Sequence, residues 1–433
     1  MFQRFVAMMM LCAGLLLPAK ARAEQPSAAE VMTGWYRLVL ELVRHTPTYS
    51  PPVAARAFGY LGVTTWEVQV ATADSGASLA GQLNGLSPLP DLRAGLDPAI
   101  TMQGALARAV PYFFGNTGPT GQRAMAAMEK RLTDRLGADR DAALVAESLA
   151  AGQRIADHII AWSEGDGGAR VENMGFPETY TLTAGPAHWV PTSAIVQQQK
   201  PLLPDWGRNR PFAMPEGNAC PLPAPPAYSE APGSAFHAEA KEVYDTSRSL
   251  TPEQLAIARF WSDDPMLSPT PPGHWLTILL DQAEAVNLSD DRLAEGLARL
   301  GIGMADAFIG CWHSKFEFDL VRPVTYIRRV IDPAWEPQLI TPPFPEYPSG
   351  HSTLSGAAAE VMTAIFGEDH AFDDGTHEDD GLPARHFADF RAAAQEAAIS
   401  RLYGGIHFRA AIERGLAQGA CIATHANALR MRQ

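Results

Sequence analysis

Two short segments in the last third of the chain carry residues suited to binding an anion. Lys315 and Arg322 are seven residues apart, about two turns of a helix, so a continuous helix would project both cations from one face. Pro-Ser-Gly-His at 348–351 precedes an alanine-rich helical stretch. The first N–H groups of a helix have no partner within it and lie at the positive end of its dipole. The segment therefore predicts a helix start that could bind an oxyanion beside His351, with an ordinary serine cap as the alternative.

A third segment adds another cation and a second histidine. Arg401 and His407 are six residues apart, a spacing that a straight helix would not align. Gly404 and Gly405 lie between them and can end one helix and start another. His407 would then lie near a new helix start, beside Arg401 across the turn.

Such a group of side chains suits a tetrahedral oxyanion. Arginine offers a planar fork of donors and lysine a point charge, while one histidine could attack or ligate the central atom and the other could move protons. Each residue also has an ordinary explanation. Lys315 could pair with Asp319 four residues along the helix. Arg401 could pair with Glu396, and His407 could be a hydrogen-bonded core histidine. The three segments taken together favour the anion site.

The rest of the chain is acidic and begins with an expected export signal. Residues 1–23 have a basic start, an apolar run and the small-residue site Ala21-Arg22-Ala23, which predict a cleaved signal peptide and a secreted or periplasmic protein. The run is short for a membrane span, which needs about 20 apolar residues, and no later stretch predicts membrane insertion. Cleavage would leave 31 basic and 48 acidic residues, a net charge of −17, which argues against nucleic acid or an anionic membrane as a partner.

The expected mature chain is large and poor in cysteine. Its 410 residues can bury a substantial core, as one large domain or two. It keeps Cys220, Cys311 and Cys421, which permit one disulfide at most. The protein is therefore no disulfide scaffold.

Hydrophobic periodicity predicts an all-α, multi-helix bundle. Apolar residues recur at three- and four-residue steps, with no internal repeat and no convincing alternating strand. The periodic segments are 27–46, 51–73, 120–138, 140–166, 251–263, about 275–330, about 384–403 and 408–428.

A proline-rich connection divides these segments. We expect residues 24–166 to form an N-terminal helical region, 167–233 a loop, and 234–433 a C-terminal helical region that carries the anion site. The two helical regions are expected to pack as one compact domain. Nine prolines in 201–233 exclude long helices and central strands there, and a connection this long usually packs over something or covers a site.

The three site segments resemble the signature of a known superfamily. Lys-x6-Arg-Pro, Pro-Ser-Gly-His and Ser-Arg-x5-His occur in the order found in vanadium haloperoxidases and type 2 phosphatidic acid phosphatases. The mature chain as a whole is similar to the soluble bacterial vanadium-dependent haloperoxidases. The wider resemblance runs through 51–68, 206–214, 260–275 and 403–419.

The resemblance implies a cradle for vanadate or phosphate. Lys315, Arg322 and Arg401 would hold the equatorial oxygens of the anion. Ser349 and the backbone N–H of Gly350 would donate to the same oxygens.

The resemblance also gives the two histidines separate roles. His407 would be the axial ligand to vanadium in a haloperoxidase, or the nucleophile that carries phosphate in a phosphatase. His351 would be the acid–base residue, and Lys315 would assist it in activating hydrogen peroxide. A haloperoxidase would bind vanadate and oxidise a halide, whereas a phosphatase would hydrolyse a phosphate ester without a cofactor. A non-catalytic oxyanion binder is a third possibility.

Three positions bear on the choice between the two chemistries. Trp312 and Phe344 resemble the aromatic residues that line a chloroperoxidase-type pocket, although both could be simple core residues. Ala411 stands where phosphatases of the superfamily, and many haloperoxidases, carry an aspartate four residues after the second histidine. Without that acid, a phosphohistidine route loses the carboxylate that would orient its histidine, whereas a backbone carbonyl could orient His407 as a metal ligand. The absence of the aspartate therefore disfavours the phosphatase.

Further candidates are weaker. His274, with Asp263 or Asp264, could lie near the pocket rim, since the resemblance covers this segment. The acidic run 367–381, which contains His370 and His377, could bind a divalent cation or be a solvated loop. The sequence shows no zinc-type Cys/His spacing and no glycine-rich nucleotide loop in the required context.

Overall fold

The structure, a computed structural model, describes residues 25–73, 76–170, 175–193, 198–264 and 266–432. The expected signal peptide, residues 1–23, lies outside the described residues. In the described part, the chain forms thirteen α-helices and one two-stranded antiparallel sheet, which confirms the predicted all-α class. The helices are α1 (Ala28–Arg44), α2 (Pro51–Thr72), α3 (Pro98–Phe113), α4 (Pro119–Gly137), α5 (Ala142–Ser163), α6 (Ala235–Arg248), α7 (Pro252–Phe260), α8 (Thr270–Ala285), α9 (Asp290–Phe318), α10 (Pro323–Val330), α11 (Gly350–Phe366), α12 (Phe390–Tyr403) and α13 (Arg409–Asn427).

The helix that the sequence did not predict is α3. Asp97 caps it by accepting from the Ile100 N–H, and Pro98 lies in its first turn. Most of its residues are buried, including the polar Gln103, because α1, α2, α4 and α5 surround it. A helix buried on several faces carries no clear polar side, so its periodicity is weak.

The sheet also departs from the expectation of no strands. β1 (Phe372–Asp374) and β2 (Arg385–Phe387) pair antiparallel, with Phe372 opposite Phe387. Three residues per strand are too few to show a pattern of alternation in the sequence. The sheet lies within the acidic segment, which is therefore partly structured.

The central helix is α9, which has 29 residues and packs against α2, α11 and α13. Two of these partners, α11 and α13, also pack closely against each other. A Cβ at Gly356 of α11 would lie 2.5 Å from the Leu416 carbonyl oxygen, so only glycine allows the backbones to approach this closely. The three helices thereby form the frame of the candidate site.

One hydrophobic cluster draws buried residues from both predicted helical regions, from Trp35 of α1 to Ala423 of α13. The boundaries at 24–166, 167–233 and 234–433 stay a prediction. No described helix combines the length and the apolar character that crossing a bilayer requires.

The proline-rich segment 201–233 contains no α-helix and packs over the bundle. The buried carboxylate of Asp306 on α9 accepts from the N–H groups of Phe212, Ala213 and Met214 at 2.6, 2.8 and 2.9 Å. A disulfide joins Cys220 to Cys421 of α13 across 201 residues of sequence. The segment is thus fixed to two of the three frame helices, α9 and α13.

Candidate active site

Lys315 lies in the last turn of α9 and is fully buried. Its Nζ donates to the carbonyl oxygens of Pro345 at 2.9 Å and Glu346 at 3.1 Å, and also to that of Pro348. Burial lowers the pKa of this ammonium group to about 7. Because these three carbonyl oxygens engage the hydrogens of Nζ, Lys315 contributes positive charge to the site and not a free hydrogen-bond donor.

The expectation that Lys315 and Arg322 share one helix face is wrong. The helix ends at Phe318, and Asp319 adopts a left-handed conformation with φ of 47°. Arg322 is the N-cap of the next helix, α10. The two cations therefore belong to different helices, and both lie over the Phe344 ring.

Arg322 is fully buried beside His407. Its Nε donates to the Phe344 carbonyl oxygen at 2.9 Å, and its Nη1 donates to the Ile406 carbonyl oxygen at 2.9 Å and to His407 Nε2 at 3.2 Å. Its Nη2 is buried without an acceptor. Such an unpaired guanidinium donor is costly unless a ligand accepts from it.

Arg401 lies in the last turn of α12 and is also buried. Its Nε donates to Ser400 Oγ at 2.9 Å, and its Nη2 donates to the Trp261 carbonyl oxygen. Its Nη1 is 3.5 Å from His351 Nε2. Burial lowers the pKa of Arg401 to about 10, so it stays charged at neutral pH.

The ordinary ion-pair partners suggested for Lys315 and Arg401 are engaged elsewhere. Asp319 lies 3.2 Å from His188 Nδ1. Glu396 pairs with Arg385 at 2.6 Å. Neither cation is therefore neutralised by the carboxylate suggested for it.

Pro-Ser-Gly-His forms the start of α11, as the sequence predicted. Ser349 is the N-cap, and its Oγ accepts from the Ser352 N–H at 3.3 Å, which leaves the Ser349 hydroxyl hydrogen as a donor. Gly350 is the first helical residue. The cap and the anion-binding interpretation are therefore compatible.

His351 is the residue of this group that reaches solvent, with 19% of its side chain exposed. Its Nε2 lies 3.7 Å from Asp263 Oδ2 and 3.5 Å from Arg401 Nη1. Burial and the Arg401 charge lower the pKa of His351 to about 4. The imidazole is therefore neutral at neutral pH and can accept a proton.

His407 lies between α12 and α13, after Gly405, which has φ of 76°. Its Nδ1 donates to Glu346 Oε1 at 2.9 Å, and its Nε2 faces Arg322. Burial and the charge of Arg322 hold the pKa of His407 well below its usual range. The ring therefore presents a neutral Nε2 lone pair to the pocket.

Glu346 is the site residue that sequence reasoning missed. Its Oε1 also accepts from the Phe408 N–H at 2.8 Å, while burial raises the pKa of this carboxyl to about 8. The expectation that a backbone carbonyl orients His407 is wrong, because Glu346 does so. Ala411 uses its carbonyl oxygen to accept from the Ser349 N–H at 3.0 Å instead. The missing aspartate at 411 therefore no longer argues against a phosphohistidine.

Trp312 and Phe344 form an aromatic wall beside the cations. Their ring centroids are 4.9 Å apart. Lys315 Nζ lies 5.1 Å from the Phe344 centroid, and the Arg322 guanidinium carbon lies 5.0 Å from it. The rings stabilise the buried cations by cation–π contact and keep water from them.

His274 lies behind the pocket rather than at its rim. It is fully buried, and its two ring nitrogens contact Asp263 Oδ1 at 2.9 Å and Asp374 Oδ2 at 2.8 Å. The other oxygen of Asp263 faces His351. His274 thus reaches the pocket only through Asp263.

The geometry agrees with comparisons to known proteins. A family model described as the VCPO second helical-bundle domain matches residues 296–334 and 329–433. A vanadium chloroperoxidase of Curvularia inaequalis is 30% identical over 152 residues, which span 29% of this chain and 25% of that protein. A bacterial vanadium-dependent chloroperoxidase, solved in its holo form, shares the fold with a TM-score of 0.70 at 17% identity over 89% of this chain and 93% of that one.

A further similarity extends over almost the whole chain. The crystal structure described as the first bacterial vanadium-dependent iodoperoxidase superposes with a TM-score of 0.84 at 37% identity. The match covers 94% of this chain and 97% of that one. Sequence identity at this level over nearly both full lengths establishes kinship as well as fold, and the chain belongs to the vanadium-dependent haloperoxidase family.

Proposed function

We propose that the protein binds vanadate in this pocket and uses hydrogen peroxide to oxidise a halide. The observation that carries the proposal is the enclosed group of three buried cations around a neutral His407. Similarity to the bacterial iodoperoxidase over nearly the whole chain supports the same chemistry.

The residues present fit a tetrahedral oxyanion. Arg322 Nη2 is buried with no acceptor, and an anion oxygen would satisfy it. The hydroxyl of Ser349 and the first N–H groups of α11 offer further donors. The charges of Lys315, Arg322 and Arg401 exceed that of the single carboxylate, Glu346, that lies against His407.

Each residue has a defined task in this proposal. Bound vanadate would supply a Lewis acid that activates peroxide toward attack by halide. His407 would ligate through Nε2, because Glu346 holds the proton on Nδ1. Arg322 and Arg401 would balance the charge of the anion, and Lys315 would add a third positive charge beneath it.

His351 would handle the proton. Its neutral ring can take a proton from peroxide at Nε2, and this nitrogen lies 3.7 Å from Asp263 Oδ2. The carboxylate would stabilise the resulting imidazolium. The partial exposure of His351 also gives the proton a route to solvent.

A phosphatase using His407 as nucleophile is the second candidate, and one observation favours it. Glu346 provides the carboxylate–histidine contact that a phosphohistidine route needs. The same contact serves a vanadium ligand, so activity has to separate the two.

A paired assay on the mature protein, stripped of metal and phosphate, tests the proposal. One arm contains orthovanadate, hydrogen peroxide and either bromide or iodide; the other follows hydrolysis of a simple phosphate ester without vanadate. Vanadate-dependent halide oxidation that phosphate inhibits is the expected result. Ester hydrolysis alone, inhibited by vanadate, would establish a phosphatase, and tight phosphate binding with neither activity would indicate a non-catalytic binder.

We expect Glu346→Gln to weaken vanadate-dependent activity by about 10- to 100-fold. The amide keeps the shape of the side chain but can turn its NH₂ donor toward His407 Nδ1, so it holds the Nδ1–H tautomer of His407 less firmly. The measurement is the vanadate concentration that gives half-maximal activity, together with kcat. Glu413→Gln is the control, since that carboxylate is 63% exposed on α13. Equal vanadate affinity in wild type and Glu346→Gln would contradict this role.

We expect sulfate to stabilise the protein more at pH 6 than at pH 9. Sulfate keeps its charge over this range, but Lys315, with a pKa of about 7, is charged below that value and neutral above it. Arg322 and Arg401 have pKa values of about 10 and stay largely charged. Sulfate affinity should thus fall by up to about tenfold for each pH unit above 7.

The measurement is the increase in melting temperature with sulfate at each pH. Lys315→Gln should reduce the pH dependence, because residue 315 is then uncharged throughout. The part that remains is due to Glu346, whose pKa of about 8 gives it a negative charge as the pH rises. A sulfate effect in the wild type that is the same at both pH values would contradict the assignment.

Export to an oxidising compartment is a further part of the proposal. The expected leader, residues 1–23, motivates it, and the disulfide between Cys220 and Cys421 is chemically suited to such a compartment. N-terminal sequencing of the protein from its native cells should begin at Glu24. A mature chain that retains residues 1–23 would contradict the proposal.

A further inference from the structure

A second group of titratable side chains lies behind His351. Asp263 follows α7, His274 is in the first turn of α8, Asp374 ends β1, and His377 follows it in the acidic segment. All four are buried. The acidic segment thus contributes to a buried cluster, in contrast to the alternative of a wholly solvated loop.

The two histidines of this cluster are arranged in the same way. His274 Nε2 contacts Asp374 Oδ2 at 2.8 Å, and His377 Nδ1 contacts Asp380 Oδ2 at 3.1 Å. The other nitrogen of each ring faces Asp263. Metal-binding histidines characteristically donate one N–H to a carboxylate in this way, which directs the other nitrogen to the metal.

One buried atom at the centre of the cluster lacks a hydrogen-bond partner. It is His377 Nε2, on a residue that is only 4% exposed, and it lies 3.6 Å from Asp263 Oδ1. An unpaired polar atom this deeply buried calls for a ligand, because it gains no compensating bond from the protein.

The distances suit a small cation. His274 Nδ1 is 2.9 Å from Asp263 Oδ1, and one ligand atom from each of Asp263, His274 and His377 lies within 4.8 Å of the others. We propose that these three residues bind a divalent cation of the zinc class. Two imidazoles and one carboxylate are a ligand set that zinc accepts, with a fourth position open.

A cation here would replace the proton that lies between His274 Nδ1 and Asp263 Oδ1, which are 2.9 Å apart. That proton would pass to solvent, and the cation would contact both atoms.

Aromatic rings enclose the cluster. The Trp261 ring stacks on His274 with centroids 4.5 Å apart, and Phe260 contacts His377 edge-on at 5.2 Å. The other charged groups that approach are Arg401 and Asp264 near Asp263, and Arg44, which pairs with Asp380. Arg401 and Arg44 have no atom that could bind a metal. The ligands of the proposed site are therefore still two imidazoles and one carboxylate.

The proposed site is separate from the vanadate pocket but adjoins it. Asp263 Oδ2 is the atom that faces His351. A cation bound on the other side of this carboxylate would withdraw negative charge from the acid–base histidine. Zinc occupancy and vanadate occupancy can nevertheless be measured independently.

The test uses the mature protein with its disulfide intact, freed of metal by a chelator and dialysed. Zinc alone is added in the presence of saturating sulfate, and bound zinc is measured by equilibrium dialysis. We expect about one equivalent in the wild type and at least tenfold weaker binding in His377→Gln. The matched control is His370→Gln, because His370 lies in the same acidic segment but contacts Gln282 instead of the cluster. It should bind zinc as the wild type does.

Failure of either expectation overturns the proposal. A folded wild type that binds no zinc would show that hydrogen bonds alone hold the cluster together. Undiminished binding in His377→Gln would show that the zinc binds elsewhere. Cobalt substitution in the wild type guards against misfolding of the variant, since a tetrahedral site gives intense visible absorption. Absence of that absorption would likewise count against the site. None of these readouts depends on haloperoxidase activity.

Discussion

His407→Ala should abolish vanadate-dependent halide oxidation. The variant removes the Nε2 lone pair that Glu346 and Arg322 hold toward the pocket, and with it the proposed bond to vanadium. Glu346 Oε1 would keep only the Phe408 N–H as a donor, and the remaining pocket would bind an anion without a bond to its central atom. We expect activity to fall to the level of free vanadate.

The measurement is the initial rate of halide oxidation over a range of vanadate concentrations, since excess vanadate should not restore activity. Vanadate binding is followed separately by equilibrium dialysis. His386→Ala serves as the control, because that histidine is 71% exposed on β2 and its ring contacts Asp373. Full activity of His407→Ala would show that the site is assigned wrongly. The same variant would also inactivate a phosphatase, so the paired assay decides which activity is lost.

The second large effect is expected for His351→Ala, which should bind vanadate while turning over about 10²- to 10⁴-fold more slowly. His351 contributes a neutral nitrogen beside Arg401 and Asp263, and none of the proposed anion donors depends on it. Loss of the ring should thus affect kcat far more than the affinity for vanadate.

The pH profile separates a proton-transfer role from a structural one. With a pKa of about 4 in the free enzyme, His351 loses its ability to accept a proton as the pH falls toward that value. The acid limb of kcat/KM in the wild type should therefore disappear in His351→Ala and in His351→Gln. A variant that keeps the wild-type acid limb, or that loses vanadate binding, would refute the assignment.

Much of the site could be predicted because short segments of the sequence determine the local structure around its residues. Ser349 and Gly350 form a helix start from their own sequence, and the two glycines after Arg401 place His407 at the next turn. The helices that present these residues have amphipathic patterns or caps that can be found without a structure. The residues that contribute to the site could be identified in this way, in their chain order.

The contacts between the contributors could not be predicted. Glu346 reaches His407 across 61 residues, and no spacing rule links the two. Lys315 and Arg322 appeared to share a helix because the left-handed residue that ends α9 is Asp319. A glycine there would have predicted the helix end, but an aspartate does not. His274 looked like a rim residue, since its burial depends on β1 and the acidic segment packing over it. All of these features are set by tertiary packing.

The disulfide has a consequence for the working life of the enzyme. A haloperoxidase releases oxidised halogen, which attacks thiols and thioethers first. Cys220 and Cys421 are already joined, and Cys311 is fully enclosed, with burial raising the pKa of its thiol. Among the described methionines, Met266 is the exposed one. The protein thus offers its own product few sulfur targets, and we expect it to tolerate the oxidant that it makes.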